Sequence, residues 1–473
     1  MQLDKHSIQQ LFLSALRWSS LALISAALLA CGTESSSVTS IGKESGPLAG
    51  EEKRSAAAKM DAARIATAAI GDVLTFDVFD GDQLHMEVLS IERSVAGLEV
   101  LIGDLDGPGD GRGYIVRDLE GNVLEVEIVD GASTYVIEPR TSGTVLSELE
   151  TAGLPKGDED PLRLQRRTPR IARLSAALVD SDPSYIFSTL TDNPEEDGTQ
   201  VDVLALYTPR VLSRGTATPA DDITEATVEA RFAANLAAAN QALADSGVDL
   251  ALHGVGIAAT TYAETGNNGE CPNMLQAMVD DTLGGVDIDT LREAREADIV
   301  LLIATRCINN SGSSRTGQAV NVATDASDYD DLDNGYAVSA YGSMAGGGLA
   351  ATAHEIGHLL GAAHNVEQSQ PAGYFADSFG YCSTTGAPGA SDFRTIMSYD
   401  CGGATDPTLV GVFSDDTLTI TRPNGAGGTV AMATGNGNQD NARALQETRV
   451  LAANWIRRTK TWVKNSALLL SFL

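Results

Sequence analysis

Residues 199–458 read as an α/β domain with a twisted, mostly parallel sheet, preceded at 71–150 by a β-rich module. Three observations predict this. In the C-terminal half, short apolar runs of strand length alternate with helical stretches, the pattern of a parallel sheet flanked by helices. Between 71 and 140, β-rich runs follow one another with only Gly and Asp turns between them. The stretch "AHEIGHLLGAAH" (353–364) then places three of the chain's six histidines within eleven residues, the first two four apart.

The first segment does not belong to the fold. Lys5 and Arg17 precede "LALISAALLA" (21–30), which is shorter than the about 20 apolar residues a membrane-spanning helix needs. It fits the apolar region of a signal peptide over residues 1–30. "LLAC" (28–31) resembles a bacterial lipobox, in which Cys31 becomes the lipidated first residue; an ordinary signal peptide with a coincidental Cys is the alternative. In a Gram-negative host, Gly32 resembles the sorting pattern for the outer membrane or cell surface, with release after processing as the other outcome. Residues 31–70 read as a tether, passing from "GTESSSVTSIGKESG" into an Ala-, Lys- and Glu-rich loose helix from 47.

The β-rich module contains "DVLTFDVFD" (72–80), "QLHMEVLSIE" (83–92), "GLEVLIGDL" (97–105), "GYIVRDL" (113–119), "VLEVEIVD" (123–130) and "TYVIEP" (134–139). It reads as an antiparallel meander without evident chemistry. A linker follows at 151–198, with a basic patch, "RLQRRTPRIAR" (163–173), as a candidate processing site. A solvated linker docking on its own acidic domain is the competing reading.

Beyond it, "VDVLALYT" (201–208), "VDLALHGVGI" (248–257) and "DIVLLIA" (298–304) are strands. "ITEATVEARFAANLAAANQALADSG" (223–247) is a long helix stopped by Gly247, and 285–297 is a helix opened by Asp287 or Asp289. Residues 438–456 form an amphipathic C-terminal helix with Leu445, Ala452 and Ile456 on one side, and 459–473 is a short tail.

With 32 Lys and Arg against 64 Asp and Glu the net charge is −32. Such a surface repels nucleic acid and anionic lipid, so membrane contact is expected only through the lipid anchor. Cys271, Cys307, Cys382 and Cys401 remain after Cys31, an even number that reads as two disulfides in an exported chain. Three pairings are possible; the shorter loops favour Cys271–Cys307 and Cys382–Cys401. "DASDYDDLDNG" (325–335) offers carboxylates suited to Ca²⁺ but lacks EF-hand spacing, and a solvated acidic loop is the preferred reading.

The histidines carry the chemistry. His354 and His358, four apart, share one helix face and can share one ion. Gly361 can end the helix in left-handed geometry and return His364 to the same ion. Three protein ligands and an open fourth position make a catalytic rather than a structural zinc site. Glu355 is placed as general base toward a metal-activated water.

With this motif the chain resembles the metzincin zinc endopeptidases, most of all the bacterial reprolysin-like, peptidyl-Asp metalloendopeptidase group. The resemblance implies His354, His358 and His364 as zinc ligands and Glu355 as the base. "RTIMSYDC" (394–401) resembles the family's Met-turn, with Met397 beneath the metal. Tyr399 is either a packed core tyrosine or, as in the astacin and serralysin branches, a fifth ligand or oxyanion stabiliser. Arg394 is a candidate cation for an Asp-preferring pocket, with a structural salt bridge as the alternative. The β-rich module becomes propeptide-like and a possible inhibitor of its own enzyme. No Cys lies between Cys31 and Cys271, so a zinc-silencing thiolate is not available to it.

The expected function is therefore a zinc endopeptidase made as an exported proenzyme, acting on protein or peptide substrates. The alternatives are a catalytically silent surface-binding or adhesion lipoprotein of the same fold, and a hydrolase specialised for cell-wall or glycoprotein substrates.

Overall fold

Eight strands build the N-terminal module: β1 (Glu51–Ala57), β2 (Val73–Asp77), β3 (Gln83–Glu92), β4 (Leu98–Leu105), β5 (Arg112–Asp118), β6 (Val123–Asp130), β7 (Ser133–Arg140) and β8 (Gly143–Glu150). The structure is a computed structural model that describes residues 51–456 except 107–110, 131–132, 151–196, 214–218, 220–221, 321–334, 345–348, 369–371, 384–391, 400, 402–406 and 424–427. The signal peptide (1–30), Cys31, the basic patch (163–173), all but Gly335 of the acidic loop (325–335) and the tail (459–473) lie outside the described residues.

The module is one antiparallel sheet in the order β1-β8-β7-β6-β5-β4-β3-β2. Sequence neighbours from β2 to β8 pair as a meander, and β1 runs back along β8. The six expected runs are β2 to β7; β8 is additional. Residues expected to continue a loose helix hold β1 instead, and the helix shrinks to Ala62–Ala66. Local Ala and Lys content favours helix there, but the edge of β8 presents a row of backbone groups that a strand can satisfy.

The sheet is buried on both faces, as its period-two pattern shows. Leu101, Ile115, Val126, Ile128 and Ile137 point to a small core shared with Ile65 and Phe76. Their neighbours Val100, Ile102, Tyr114 and Val116 point the other way, into the main core of the chain. Arg117 ties the short helix down by donating to the carbonyls of Ile65, Ala66 and Ala68.

The second sheet holds β9 (Gln200–Tyr207), β10 (Ala251–Ala259), β11 (Ile299–Ala304), β14 (Gly317–Ala319) and β15 (Tyr336–Ala340), in the order β10-β9-β11-β15-β14. The small hairpin of β12 (Cys307–Ile308) and β13 (Ser314–Arg315) stands beside it. β10–β9, β9–β11 and β11–β15 pair in parallel, while β14 runs antiparallel along the edge. Every residue of β11 is buried, as its continuous apolar run requires of a central strand.

The long helix Glu225–Asp245 links β9 to β10, with the Thr224 side chain accepting from the Thr227 amide at its start. Helix Ile288–Arg295 is opened by Asp287, which accepts from the Thr290 amide. Helix Glu270–Val279, absent from the sequence reading, carries Pro272 in its first turn, where the missing N–H costs nothing. Cys271 on that helix is bonded to Cys307, and Cys382 to Cys401, with Cα separations of 4.7 and 5.7 Å. Among the described residues no helix is long and apolar enough to cross a membrane.

The two sheets meet across the long helix. Val95 forms an isolated bridge with Gly254 of β10, and the Gly254 amide donates to the Ser94 carbonyl at 2.6 Å. A Cβ at residue 254 would lie 2.7 Å from a Val95 methyl and 3.0 Å from the Phe232 ring. Gly254→Ala should therefore destabilise the chain by about 1–3 kcal/mol through overpacking, read as a lower urea midpoint; an unchanged midpoint would contradict this packing.

Candidate metal centre

Helix Leu349–Leu359 carries His354, Glu355 and His358. It ends as the residue order dictates. The Gly361 amide donates to the His358 carbonyl at 3.0 Å, and the Ala362 amide to the Gly357 carbonyl at 2.9 Å. This paired closure needs a left-handed residue at its first position, and Gly361 has φ +85°. The chain then turns back, so that His364 faces the helix it has just left. The C-terminal helix Asn441–Ala452 holds this return. Asn441 grips both the amide and the carbonyl of Ala363, and Thr448 donates to the Leu360 carbonyl at 2.8 Å.

The structure brings the three histidines together, all buried. Their ligand atoms lie within 4.8 Å of one another. Nε2 of His364 is 3.1 Å from Nε2 of His354 and 2.9 Å from Nε2 of His358. The other ring nitrogens define the tautomers. His354 Nδ1 is 2.7 Å from the Ile396 carbonyl, and His358 Nδ1 is 2.9 Å from the Ala362 carbonyl. A carbonyl only accepts, so both Nδ1 atoms carry the proton and both Nε2 atoms present lone pairs. Lone pairs converging at this range repel unless a cation lies among them. Four-coordinate zinc with bonds of about 2.0–2.1 Å spaces its nitrogens by about 3.3 Å, so this donor set fits that ion.

Met397 lies under the helix. It is fully buried, and its sulfur would sit 2.7 Å from a Cβ at Gly357. Glycine inside a helix costs about 1 kcal/mol relative to alanine; here it is what lets the methionine turn approach the backbone between the two helical ligands. That turn closes with the Ser398 amide donating to the Thr395 carbonyl at 2.9 Å. Ile396 in the same turn supplies the carbonyl that orients His354, so the turn both supports the helix and sets a ligand's tautomer. Arg394 donates Nη1 to the Ser398 carbonyl at 2.9 Å, which braces the turn from below.

The Tyr399 ring is 4.2 Å from the His364 ring and 6.1 Å from that of His354, centroid to centroid. Sequence reasoning missed three contributors. Asn365 accepts from the Tyr399 amide at 3.1 Å and so couples the third ligand's loop to the methionine turn. Asn441 clamps Ala363. Gly317, on the edge strand β14, lies so close to Glu355 that a Cβ there would overlap its carboxylate and the Val338 carbonyl. Asn365 directly follows His364 and could have been suspected from position alone; the other two come from distant segments and leave no local signal.

Residues 198–410 match the family model for metallopeptidase family M12, reprolysin type. Two curated relatives, both named peptidyl-Asp metalloendopeptidase and both from Stenotrophomonas maltophilia, are similar to this chain. One is 30% identical over 170 residues and the other 31% over 172, covering 35% of this chain in each case. The chain spans about a third of these relatives' length, 36% of each. A solved structure described as a chaperone-substrate complex aligns with 54% of this chain and 35% of its own at 18% identity and TM-score 0.38, too loose a likeness to bear on the fold.

One zinc per chain should survive gel filtration, measured by plasma mass spectrometry, and His358→Ala should lose it. Stoichiometric zinc on His358→Ala would show that the ion sits elsewhere.

Proposed function

We propose that this chain, whose residues 198–410 match the family model for metallopeptidase family M12, reprolysin type, is a zinc-dependent endopeptidase that hydrolyses peptide bonds with Glu355 as general base. The observation that carries the reading is the convergence of three imidazole nitrogens, with the buried Glu355 next to His354 on the same helix. His354, His358 and His364 would hold the ion, which supplies Lewis-acid polarisation and an acidified water when bound.

The chain's own residues do the rest. Glu355 follows His354 on the same helix and is fully buried, so its carboxylate works in a medium where charge is weakly screened. It takes the proton of the attacking water and delivers it to the leaving amine nitrogen. Gly317 limits where that carboxylate can go. The carbonyls of Ile396 and Ala362 keep the imidazoles from rotating, and Met397 fixes the height of the helix beneath them. Tyr399, whose ring lies 4.2 Å from that of His364, would stabilise an oxyanion or contact the ion.

The finer parts of the reading belong to the same proposal. A preference for aspartate in the substrate follows the name of the two curated relatives, and a peptide-library cleavage profile tests it. Export through the signal segment, with lipidation at Cys31, agrees with two disulfides, which persist in oxidising compartments. The N-terminal module is then a propeptide. Its described contacts with the rest of the chain include the long helix, Gly254, Tyr341, Pro219 and Asp222.

Glu355→Gln should retain zinc yet lower kcat by about 10²–10⁴-fold, the usual worth of general acid–base catalysis; equal activity would overturn the assignment. Gly317→Ala should lower kcat by up to about 10²-fold at unchanged zinc content, because the added methyl displaces the base. An unaltered kcat would remove Gly317 from the site.

A further inference from the structure

The interface between the N-terminal module and the long helix holds a cluster that the peptidase chemistry does not use. Arg231, in the second turn of the helix, is buried. It pairs with Glu125, with Glu127 at 2.7 Å and with Glu138 at 3.3 Å. Glu125 and Glu127 alternate with Val126 and Ile128 along β6, and Glu138 lies beside them on β7. All three carboxylates are at most 1% exposed. Tyr341 covers the guanidinium at 4.8 Å and directs its hydroxyl to Glu138 at 3.5 Å. Arg140, at 3.0 Å from Glu138, is shared with Glu52 at 2.8 Å.

Counted over these described side chains, Glu52, Glu125, Glu127 and Glu138 face Arg231 and Arg140. Four carboxylates against two guanidiniums, most of them out of water, is an expensive arrangement if every acid is ionised. A proton taken up on docking relieves it. A further, half-buried acid lies along the same seam. Glu92 on β3 accepts from Ser94 at 3.0 Å and from Asn240 of the long helix at 3.4 Å. The pair of Arg112 and Asp245, 3.5 Å apart at the helix end, is partly exposed and contributes little.

We propose that this cluster is a proton-dependent latch between the N-terminal module and the peptidase domain, closed in acid and loosened as pH rises. The partner is residues 51–150 of this same chain, whose acidic cup on β6 and β7 receives Arg231. Burial pushes the Glu125 carboxyl well above its ordinary range, against the opposing pull of Arg231, with Glu127 and Glu138 adding to the rise. Burial also raises Glu92. A group raised in the docked state means that docking binds protons. The latch is therefore strongest below the ordinary glutamate value of 4.5 and fails as pH climbs through the raised docked-state values.

The latch lies one helical turn from the metal-bearing helix. Asn235 donates to the Arg231 and Met344 carbonyls at 2.9 and 2.7 Å, and accepts from Thr352 at 3.1 Å. Thr352 precedes the first ligand by two residues. Opening the latch is thus felt at the base of the site through the long helix.

The test is hydrogen exchange of the full chain carrying Glu355→Gln, followed by mass spectrometry from pH 5 to 9 and corrected for intrinsic exchange. It needs no catalysis, so it stands or falls apart from the peptidase reading. Peptides of 123–140 and 225–245 should open together, by up to about tenfold per pH unit for each proton released. Adding Glu125→Gln should flatten that dependence and keep both segments protected at high pH; Glu138→Gln serves if that chain does not fold. A wild-type profile flat in pH, or an unchanged slope in the glutamine variants, would overturn the latch.

Discussion

Three converging imidazole nitrogens, with that of His364 about 3 Å from each of the other two and those two carrying lone pairs forced inward by hydrogen bonds behind them, are the constraint from which the C-terminal domain is best understood. Such a cluster is repulsive without a cation, so the surrounding fold has to hold it. Leu349–Leu359 sets the first two ligands by helical pitch, and Gly361 reverses the chain so that the third can reach them. The clamp of Asn441 on Ala363 and the carbonyl of Ile396 against His354 come from segments 78 and 42 residues away. The site is local in its ligands and global in its supports.

That division explains what was legible in the sequence. The ligand spacing, the terminating glycine and the methionine turn are short-range features whose geometry follows from helix pitch and one left-handed residue. The strands β2 to β7 were legible because alternation and turn residues define a meander directly. Residues 51–57 were misread as helix because the reason they extend, the open edge of β8, lies about 90 residues downstream. Gly317 was invisible for a similar reason: its importance depends on Glu355 lying against it, and nothing near position 317 says so.

The glutamates of β6 show a subtler limit. In "VLEVEIVD" the pattern of valine and isoleucine alternating with glutamate suggests a strand with one wet face. Both faces are in fact covered, because the long helix lies against the side that carries Glu125 and Glu127. Period-two alternation reports which residues share a face and not whether that face meets water. A buried acidic face becomes tolerable once Arg231 is brought to it by another element, and the sequence contains no local sign of that encounter.

The most direct measurement of the central claim is zinc-edge X-ray absorption on the purified chain. The account predicts a first shell of light atoms at about 2.0–2.1 Å with the outer-shell pattern of three imidazoles. Sulfur scattering near about 2.3 Å, or a shell with fewer than three imidazoles, would place the ion on other residues and contradict it.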